Sequence, residues 1–274
     1  MRPVDASADW ESLPTVLRAA IETRTGKVRG SSPGGEGLST SLRLILHAES
    51  GDVFVKGTGP GSSDAQRDRL ALGADLAPHL TAVSPPLLWR AQADGWDVTG
   101  WPALPGRPWA NQKPGSEDIP KLIGLLTGLS RIPAPHTLTR TARDYWAQYA
   151  DEPAALDGDG IVHRDPNPTN FVVDGDRAWM VDFGWAVRGP AWMTSAGLIV
   201  SMMEAGWEAA YADKALQAVP AWASAPRYAV DELAYATVRE WEQVMERGPV
   251  HEVWQFRASV ARTWADYREN TSRF

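Results

Sequence analysis

Two short motifs in the second half of the chain constrain its fold more than any other feature of the sequence. The first is His163-Arg164-Asp165, which is followed five positions after the aspartate by Asn170. The second, Asp182-Phe183-Gly184, begins twelve positions after Asn170. The residues between them form two short apolar runs around the turn sequence Asp-Gly-Asp at 174–176, which predicts a small hairpin. The chain should therefore return along this hairpin from the first motif to the second.

The side chains of these motifs favour the transfer of a phosphoryl group to a hydroxyl. Such a transfer needs a carboxylate beside the attacking hydroxyl and hard oxygen ligands for magnesium beside the phosphates. Asp165 is the predicted catalytic base, which orients the hydroxyl and accepts its proton. Asn170 and Asp182 are the predicted magnesium ligands, one through an amide oxygen and the other through a carboxylate. We expect His163 to support the loop backbone.

Phosphates also require a cation, and Lys56 is the candidate. It ends the predicted strand 53–56, and the chain holds only five lysines, so a lysine at this place is informative. In phosphotransferases of this type an acid on the following helix holds the lysine. The helix predicted over 63–80 offers three aspartates and no glutamate, and we favour Asp68.

A glycine-rich segment at 34–40 precedes this strand and is predicted to cover the phosphates. Backbone N–H groups at Gly35 and Gly37 and the hydroxyl of Ser39 are the expected donors. The segment matches neither the Walker pattern nor G-x-G-x-x-G, so taken alone it also fits an ordinary turn.

The chain changes character near residue 101. Up to there, alternating apolar runs predict antiparallel hairpins, preceded by a helix over 10–23 capped by Asp9 and by a loop over 30–37. A stretch rich in proline and glycine follows, and helical spacing then dominates. We predict an α+β protein with a small antiparallel-sheet N-lobe at 1–101, a hinge at 102–115, and a mostly helical C-lobe at 116–274 that carries the catalytic loop and the acceptor site.

With these motifs the sequence resembles the aminoglycoside phosphotransferase family of small-molecule kinases over nearly its whole length. Lys56 matches the lysine of the third strand, and residues 163–171 and 181–185 match the two signature loops. The resemblance implies a bilobal protein-kinase-like fold, ATP (GTP in some members), Mg²⁺ and transfer of the γ-phosphate to a hydroxyl. Arg164 and Phe183 depart from the family, which usually has Gly and often Trp there. A protein kinase is disfavoured because no Ala-Pro-Glu segment follows Gly184.

The same resemblance places the adenine beside the run 101–106. The carbonyl of Pro102 would accept from the adenine amino group, and the N–H of Leu104 would donate to a ring nitrogen. Trp101 would then stand at the back of the pocket.

Composition excludes several classes of protein. The absence of cysteine excludes disulfides, thiolate zinc sites and a cysteine nucleophile, and the net charge of −7 argues against a nucleic-acid binder. No apolar run approaches the roughly 18 to 20 residues of a membrane span, and the N-terminus lacks the apolar core of a signal peptide. We expect a cytoplasmic monomer or homodimer that binds neither nucleic acid nor membrane.

The acceptor is left open between several alternatives. Fourteen tryptophans are an unusual number, and Trp185 and Trp192 follow the second motif closely enough to line an acceptor site. The favoured function is an ATP-dependent O-phosphotransferase for an antibiotic of aminoglycoside, peptide or nucleoside type. The alternatives are a metabolic kinase for a sugar or amino alcohol, and a catalytically inactive kinase-like binding protein.

Overall fold

The computed structural model describes residues 9–35, 40–109, 113–248 and 251–271, and the chain divides into two compact units. The first unit comprises the described residues up to Gly106 together with Val181–Trp185. The second unit comprises Arg107–Met180 and the described residues from Ala186 onward. The prediction of an α+β protein, with an antiparallel sheet in its first part and helices in its second, is confirmed.

The first unit is built on a five-stranded antiparallel sheet with the strand order β1-β2-β3-β5-β4. Its strands are β1 (Val28–Pro33), β2 (Leu42–Ala48), β3 (Gly51–Thr58), β4 (Trp89–Ala93) and β5 (Trp96–Pro102). Its helices are α1 (Thr15–Thr25) and α2 (Asp64–Leu76), and α2 is extended by a 3₁₀ turn at Ala77–His79. Ser63 begins α2 with a capping box, in which its hydroxyl accepts from the backbone of Gln66.

Side-chain alternation gives the sheet two different faces. On β2, Leu42, Leu44 and Leu46 are buried in one apolar core with Leu17 and Ile21 of α1. The residues between those leucines point to the opposite face, because successive side chains on a strand alternate. That opposite face carries the polar groups described below.

Three local predictions are corrected by the structure. Asp9 does not cap α1, because its carboxylate accepts from the backbone of Ser12 in a separate turn and the helix begins only after Pro14. Part of the predicted loop 30–37 is strand β1, which tolerates Gly, Ser and Pro because it is an edge strand that pairs with β2 alone. The strand that the sequence predicts over 96–99 is longer in the structure, because β5 runs to Pro102.

The second unit is mostly helical. Its helices are α3 (Ile119–Leu129), α4 (Ala142–Trp146), α5 (Met193–Glu204), α6 (Ala209–Leu216), α7 (Pro220–Ala223), α8 (Arg227–Arg247) and α9 (Glu252–Thr271). Its strands are β6 (Arg107–Pro108), β7 (Gly160–Val162), β8 (Phe171–Asp174), β9 (Arg177–Met180) and β10 (Val187–Gly189). Among the described residues, none of these helices combines the length and the apolar character needed to cross a membrane.

The predicted hairpin is present as β8 and β9, which pair from Phe171 opposite Met180 to Asp174 opposite Arg177. Phe171 is fully buried and meets the edge of the Trp109 ring, with 6.2 Å between the ring centroids. The 3₁₀ turn Pro168–Asn170 leads directly into β8, so the packing of Phe171 fixes the position of the neighbouring Asn170.

Candidate active site

An ion pair between Lys56 and Asp182 forms the polar centre of the first unit. Lys56 lies on β3, is only 8% exposed, and its Nζ donates to Asp182 Oδ1 at 2.7 Å. Asp182 precedes the 3₁₀ turn Phe183–Trp185 and has a φ of +65°, a left-handed conformation that aspartate tolerates better than most residues. The structure thus brings the predicted phosphate cation and a predicted metal ligand into direct contact.

Arg43 is a second cation beside this pair, and sequence reasoning missed it. It stands directly opposite Lys56 in the pairing of β2 with β3, and its Nη2 lies 3.9 Å from Asp182 Oδ2. The side chain of Arg43 is 15% exposed, so this is a largely enclosed charge. The Asp182 carboxylate therefore lies between two cations.

A small pocket adjoins the ion pair. It is lined by Thr40, Lys56, Arg69, Leu70, Asp182, Gly184 and Trp185. Trp185 is 40% exposed, and the guanidinium of Arg69 lies over its ring at 4.1 Å from the centroid. The predicted acceptor residue Trp185 thus borders the same pocket as Lys56.

Four further residues of this unit are predicted to belong to the nucleotide site, namely Asp68, Gly35, Gly37 and Ser39. Asp68 lies exposed on α2, and its role as the acid that holds Lys56 stays a prediction. Gly35 is exposed with a φ of +89°, which suits glycine. Gly37 and Ser39 lie outside the described residues.

The residues predicted to border the adenine lie at the end of β5, which pairs with the strand of Lys56, and just after it. Trp101 donates from Nε1 to Thr99 Oγ1 at 3.0 Å, and that hydroxyl donates to the carbonyl of Lys56 at 3.2 Å. Pro102 is the last residue of β5, and Leu104 is half-buried. The N–H of Leu104 has no hydrogen-bond acceptor within the described ranges, as a donor to a base would require.

Asp165 is the centre of the polar loop in the second unit. Its Oδ1 accepts from Asn167 Nδ2 at 2.9 Å, and its Oδ2 accepts from Asn170 Nδ2 at 3.1 Å. Asn170 Nδ2 also donates to the Asp165 carbonyl at 2.8 Å. Two amide donors therefore fix the carboxylate while leaving lone pairs free for a further donor.

The backbone around Asp165 is held in a tight turn. The N–H of Asp165 donates to the carbonyl of His163 at 2.7 Å, which closes a three-residue γ-turn over Arg164. His163 is fully buried, and its backbone N–H donates to Thr194 Oγ1 of α5 at 3.1 Å. His163 therefore supports the loop from the core.

Arg164 is held by aromatic stacking. Its φ of +57° is strained for a residue with a side chain, and its guanidinium lies 3.3 Å from the centroid of the Tyr145 ring. Tyr145 in turn donates its hydroxyl to Glu240 on α8. Burial, with a further contribution from the charge of Glu240, raises the pKa of the Tyr145 hydroxyl, so it stays protonated as a donor. The departure of Arg164 from the family pattern thus has a structural role.

Replacing Arg164 by glycine is expected to lower stability and kcat together. The change relieves a positive φ worth about 1 kcal/mol, but it removes a desolvated cation–π contact worth about 2 kcal/mol and leaves a cavity. The KM for nucleotide should stay within about twofold, because the loop change concerns Asp165 and not Lys56. Thermal unfolding and steady-state kinetics measure both effects. Arg164→Lys, which keeps the charge, should retain more kcat, and an R164G enzyme with unchanged kcat would contradict this role.

Glu204 is a further carboxylate near Asp165 that sequence reasoning missed. Burial raises its pKa, the negative charge of Asp165 raises it further, and Arg257 opposes the shift. Arg257 on α9 approaches Glu204 Oε1 at 3.4 Å. The other predicted acceptor residue, Trp192, is only 5% exposed at the start of α5, so burial leaves little of its ring for a ligand.

The donor types of Asn170 and Asp182 fit magnesium. Both hydrogen bonds of the Asn170 side chain use Nδ2, and its Oδ1 has no hydrogen-bond donor in the described part of the chain. An amide oxygen and a carboxylate are hard ligands, as Mg²⁺ prefers. The described residues hold no group of three or more histidine or acidic side chains that could bind a metal by themselves. A magnesium ion bound at either side chain would take its remaining ligands from phosphate oxygens and water.

Comparisons with known proteins identify the fold. No protein-family model matches the chain, and a search of curated proteins gave no relative. An aminoglycoside phosphotransferase from Alicyclobacillus acidocaldarius is similar in structure, with a TM-score of 0.62 at 12% identity over 94% of each chain. The streptomycin–ATP ternary complex of APH(2'')-IIa gives 0.59 at 12% identity, over 94% of this chain and 99% of the other. A choline/ethanolamine kinase family protein from Mesorhizobium loti gives 0.55 at 19% identity, over 93% and 90%.

The similarity spans nearly the full length of each of these structures, while the identity is low. It therefore concerns the fold, and it agrees with the resemblance predicted from the two motifs. The chain has the protein-kinase-like fold of the aminoglycoside phosphotransferases, which the choline/ethanolamine kinase family protein also shares.

Proposed function

We propose that this chain is an O-phosphotransferase that moves the γ-phosphate of ATP to a hydroxyl of a small molecule. The observation that carries the proposal is the Asp165 carboxylate, which two amide donors orient within a fold that phosphotransferases share. The ion pair of the buried Lys56 with Asp182 supports it, because these are the residue types that phosphoryl transfer requires for phosphate and metal. A catalytically inactive relative would be expected to have lost at least one of these groups.

Each side chain has a proposed task. Asp165 accepts the hydrogen bond of the acceptor hydroxyl and directs its oxygen toward the γ-phosphorus. It takes the proton of that hydroxyl as the new P–O bond forms and the bond from the γ-phosphorus to the leaving group ADP breaks. Lys56 exchanges the Asp182 carboxylate for the α- and β-phosphate oxygens. Asn170 and Asp182 hold Mg²⁺, which when bound neutralises charge on the phosphates.

The adenine is proposed to bind along the last residues of β5 and the segment that follows. The free N–H of Leu104 and the carbonyl of Pro102 are the proposed partners of the base. Trp101, held by its bond to Thr99, offers a flat apolar surface on the same face as Lys56. Gly35, Gly37 and Ser39 are proposed to cover the phosphates.

The acceptor proposed first is an antibiotic of aminoglycoside, peptide or nucleoside type. Solved structures of similar fold include complexes with hygromycin B and with streptomycin, which supports a bulky hydroxyl compound. An amino alcohol is the second candidate, because a choline/ethanolamine kinase family protein shares the fold at the higher identity of 19%. Trp185 is the proposed aromatic contact of the acceptor.

One experiment separates these alternatives. Purified protein is incubated with Mg²⁺ and γ-labelled ATP or GTP against a panel of antibiotics, sugars and amino alcohols, and products are analysed by mass spectrometry. The expected result is one added phosphate on members of a single class. Expression in a sensitive host then tests whether an antibiotic acceptor gives resistance. Ligand binding without transfer to any hydroxyl compound would favour an inactive binding protein instead.

A further inference from the structure

The pocket beside Lys56 carries more positive charge than one lysine supplies. Lys56 and Arg69 line it together with one carboxylate, that of Asp182, and Arg43 reaches the same carboxylate from the neighbouring strand. Arg43 and Lys56 are 15% and 9% exposed in their side chains, which limits compensation by solvent. Cationic side chains that are largely enclosed around a pocket favour an anionic ligand there.

An unpaired hydroxyl in the same pocket points to the same ligand. The Oγ1 of Thr40 is buried and has no hydrogen-bond partner among the residues that the structure describes. Thr40 lines the pocket together with Lys56 and Asp182. Buried hydroxyls are normally hydrogen-bonded, so an orphaned one beside two cations indicates a site for an acceptor atom such as a phosphate oxygen.

The backbone holds Arg43 in place where the glycine-rich segment begins. The N–H of Gly34 donates to the Arg43 carbonyl at 3.0 Å. A Cβ at Gly34 would lie 2.9 Å from the backbone of Arg43 and Leu44, so only glycine permits this approach. The backbone of Arg43 is thus fixed between Gly34 and Lys56, and its side chain lies on the sheet face that Lys56 shares.

We propose that Arg43 is a second phosphate-binding cation, which binds the phosphate chain of a nucleoside di- or triphosphate together with Lys56 and the Thr40 hydroxyl. The inference rests on the proposed function and deepens its nucleotide site. A guanidinium contributes two parallel donors to phosphate oxygens, whereas the lysine acts as a point charge. Arg43 therefore adds affinity that depends on the phosphates and not on the base.

Titration calorimetry of Arg43→Gln tests this with ATP, ADP and adenosine. Loss of one charge-assisted contact should weaken ATP and ADP binding about tenfold to a hundredfold and leave adenosine within about twofold. Arg43→Lys should fall between wild type and Arg43→Gln, because it keeps the charge but loses the fork. Thr40→Val should weaken ATP binding by about fivefold, as expected for one neutral hydrogen bond.

Arg29→Gln is the matched control, because it removes an exposed arginine from β1 of the same sheet and should bind as wild type does. ATP binding by Arg43→Gln within twofold of wild type would overturn the assignment, and so would an equal loss for ATP and adenosine. If Arg43→Gln does not fold, Arg43→Lys and Thr40→Val decide by the same criterion. If the wild-type protein binds no nucleotide, both the proposed function and the assignment of Arg43 are wrong. If wild type binds ATP and Arg43→Gln binds it equally well, only the assignment of Arg43 is wrong.

Discussion

Replacing Asp165 by asparagine is expected to lower kcat by about 10² to 10⁴-fold, the usual contribution of a positioned general base. Asparagine keeps the size of the side chain and can still accept one of the two amide hydrogen bonds that Asp165 receives from Asn167 and Asn170. It cannot take a proton from the acceptor hydroxyl. The loss should therefore be chemical, and it is measured as kcat in a coupled ADP-release assay with the acceptor found in the panel.

Two controls make this result specific. Nucleotide affinity should stay within about twofold of wild type, because Asp165 is assigned to the acceptor and not to the phosphates. Asp174→Asn removes an exposed carboxylate from the end of β8 and should leave kcat unchanged. Wild-type turnover in the Asp165→Asn enzyme would refute the assignment of the base. An equal loss in Asp174→Asn would show that charge in this region, and not the base, limits turnover.

The proximity of Asp165 and Asn170 could be predicted from the sequence because it is a local feature. Asp165 and Asn170 are five residues apart, and the hydrogen bonds from Asn170 to Asp165 need only the turn between them. The hairpin that follows could also be predicted, since Asp-Gly-Asp at 174–176 separates two apolar runs. Motif, turn chemistry and apolar pattern all agree in this segment, and such agreement is what makes a local prediction reliable.

The position of Arg43 opposite Lys56 depends on the register between β2 and β3, which the sequence does not predict correctly. The sequence Ser-Gly-Asp at 50–52 predicts the turn between β2 and β3 at those residues, whereas the strands pair from Ala48 opposite Gly51. A turn at 50–52 would place Arg43 opposite Gly59 instead of Lys56, and in an antiparallel pair a register shift by an odd number of residues exchanges the two faces. Register is set by packing of the alternating leucines against α1, which is a tertiary effect.

The partners of Arg164 and Lys56 could not be read from the sequence for a different reason. Tyr145 precedes Arg164 by nineteen residues, and Asp182 follows Lys56 by 126. No periodicity links positions so far apart, because their contact depends on how separate elements pack. The sequence indicates which residue types form the site, whereas the partner of each side chain depends on tertiary packing.

Replacing Asp182 by asparagine is expected to abolish the magnesium-dependent part of ATP affinity and to lower kcat by about 10² to 10³-fold or more. Asparagine is preferred to alanine here because it tolerates the φ of +65° that this position requires. The amide lacks the negative charge that a magnesium ligand supplies and that Lys56 and Arg43 share in the structure. The ratio of ATP dissociation constants with EDTA and with Mg²⁺ should therefore fall close to one, as measured by calorimetry.

The same substitution should also lower stability, which gives an independent reading of the site. Lys56 loses its carboxylate partner while only 9% of its side chain is exposed, and leaving a buried charged donor without its partner costs about 1–3 kcal/mol. Lys56→Met should restore part of that loss in the double variant, because it removes the uncompensated charge and the two residues are in contact. Asp176→Asn, in the exposed hairpin turn, should change neither quantity. Retained magnesium-dependent affinity in Asp182→Asn would exclude Asp182 as a metal ligand, whatever the effect on stability.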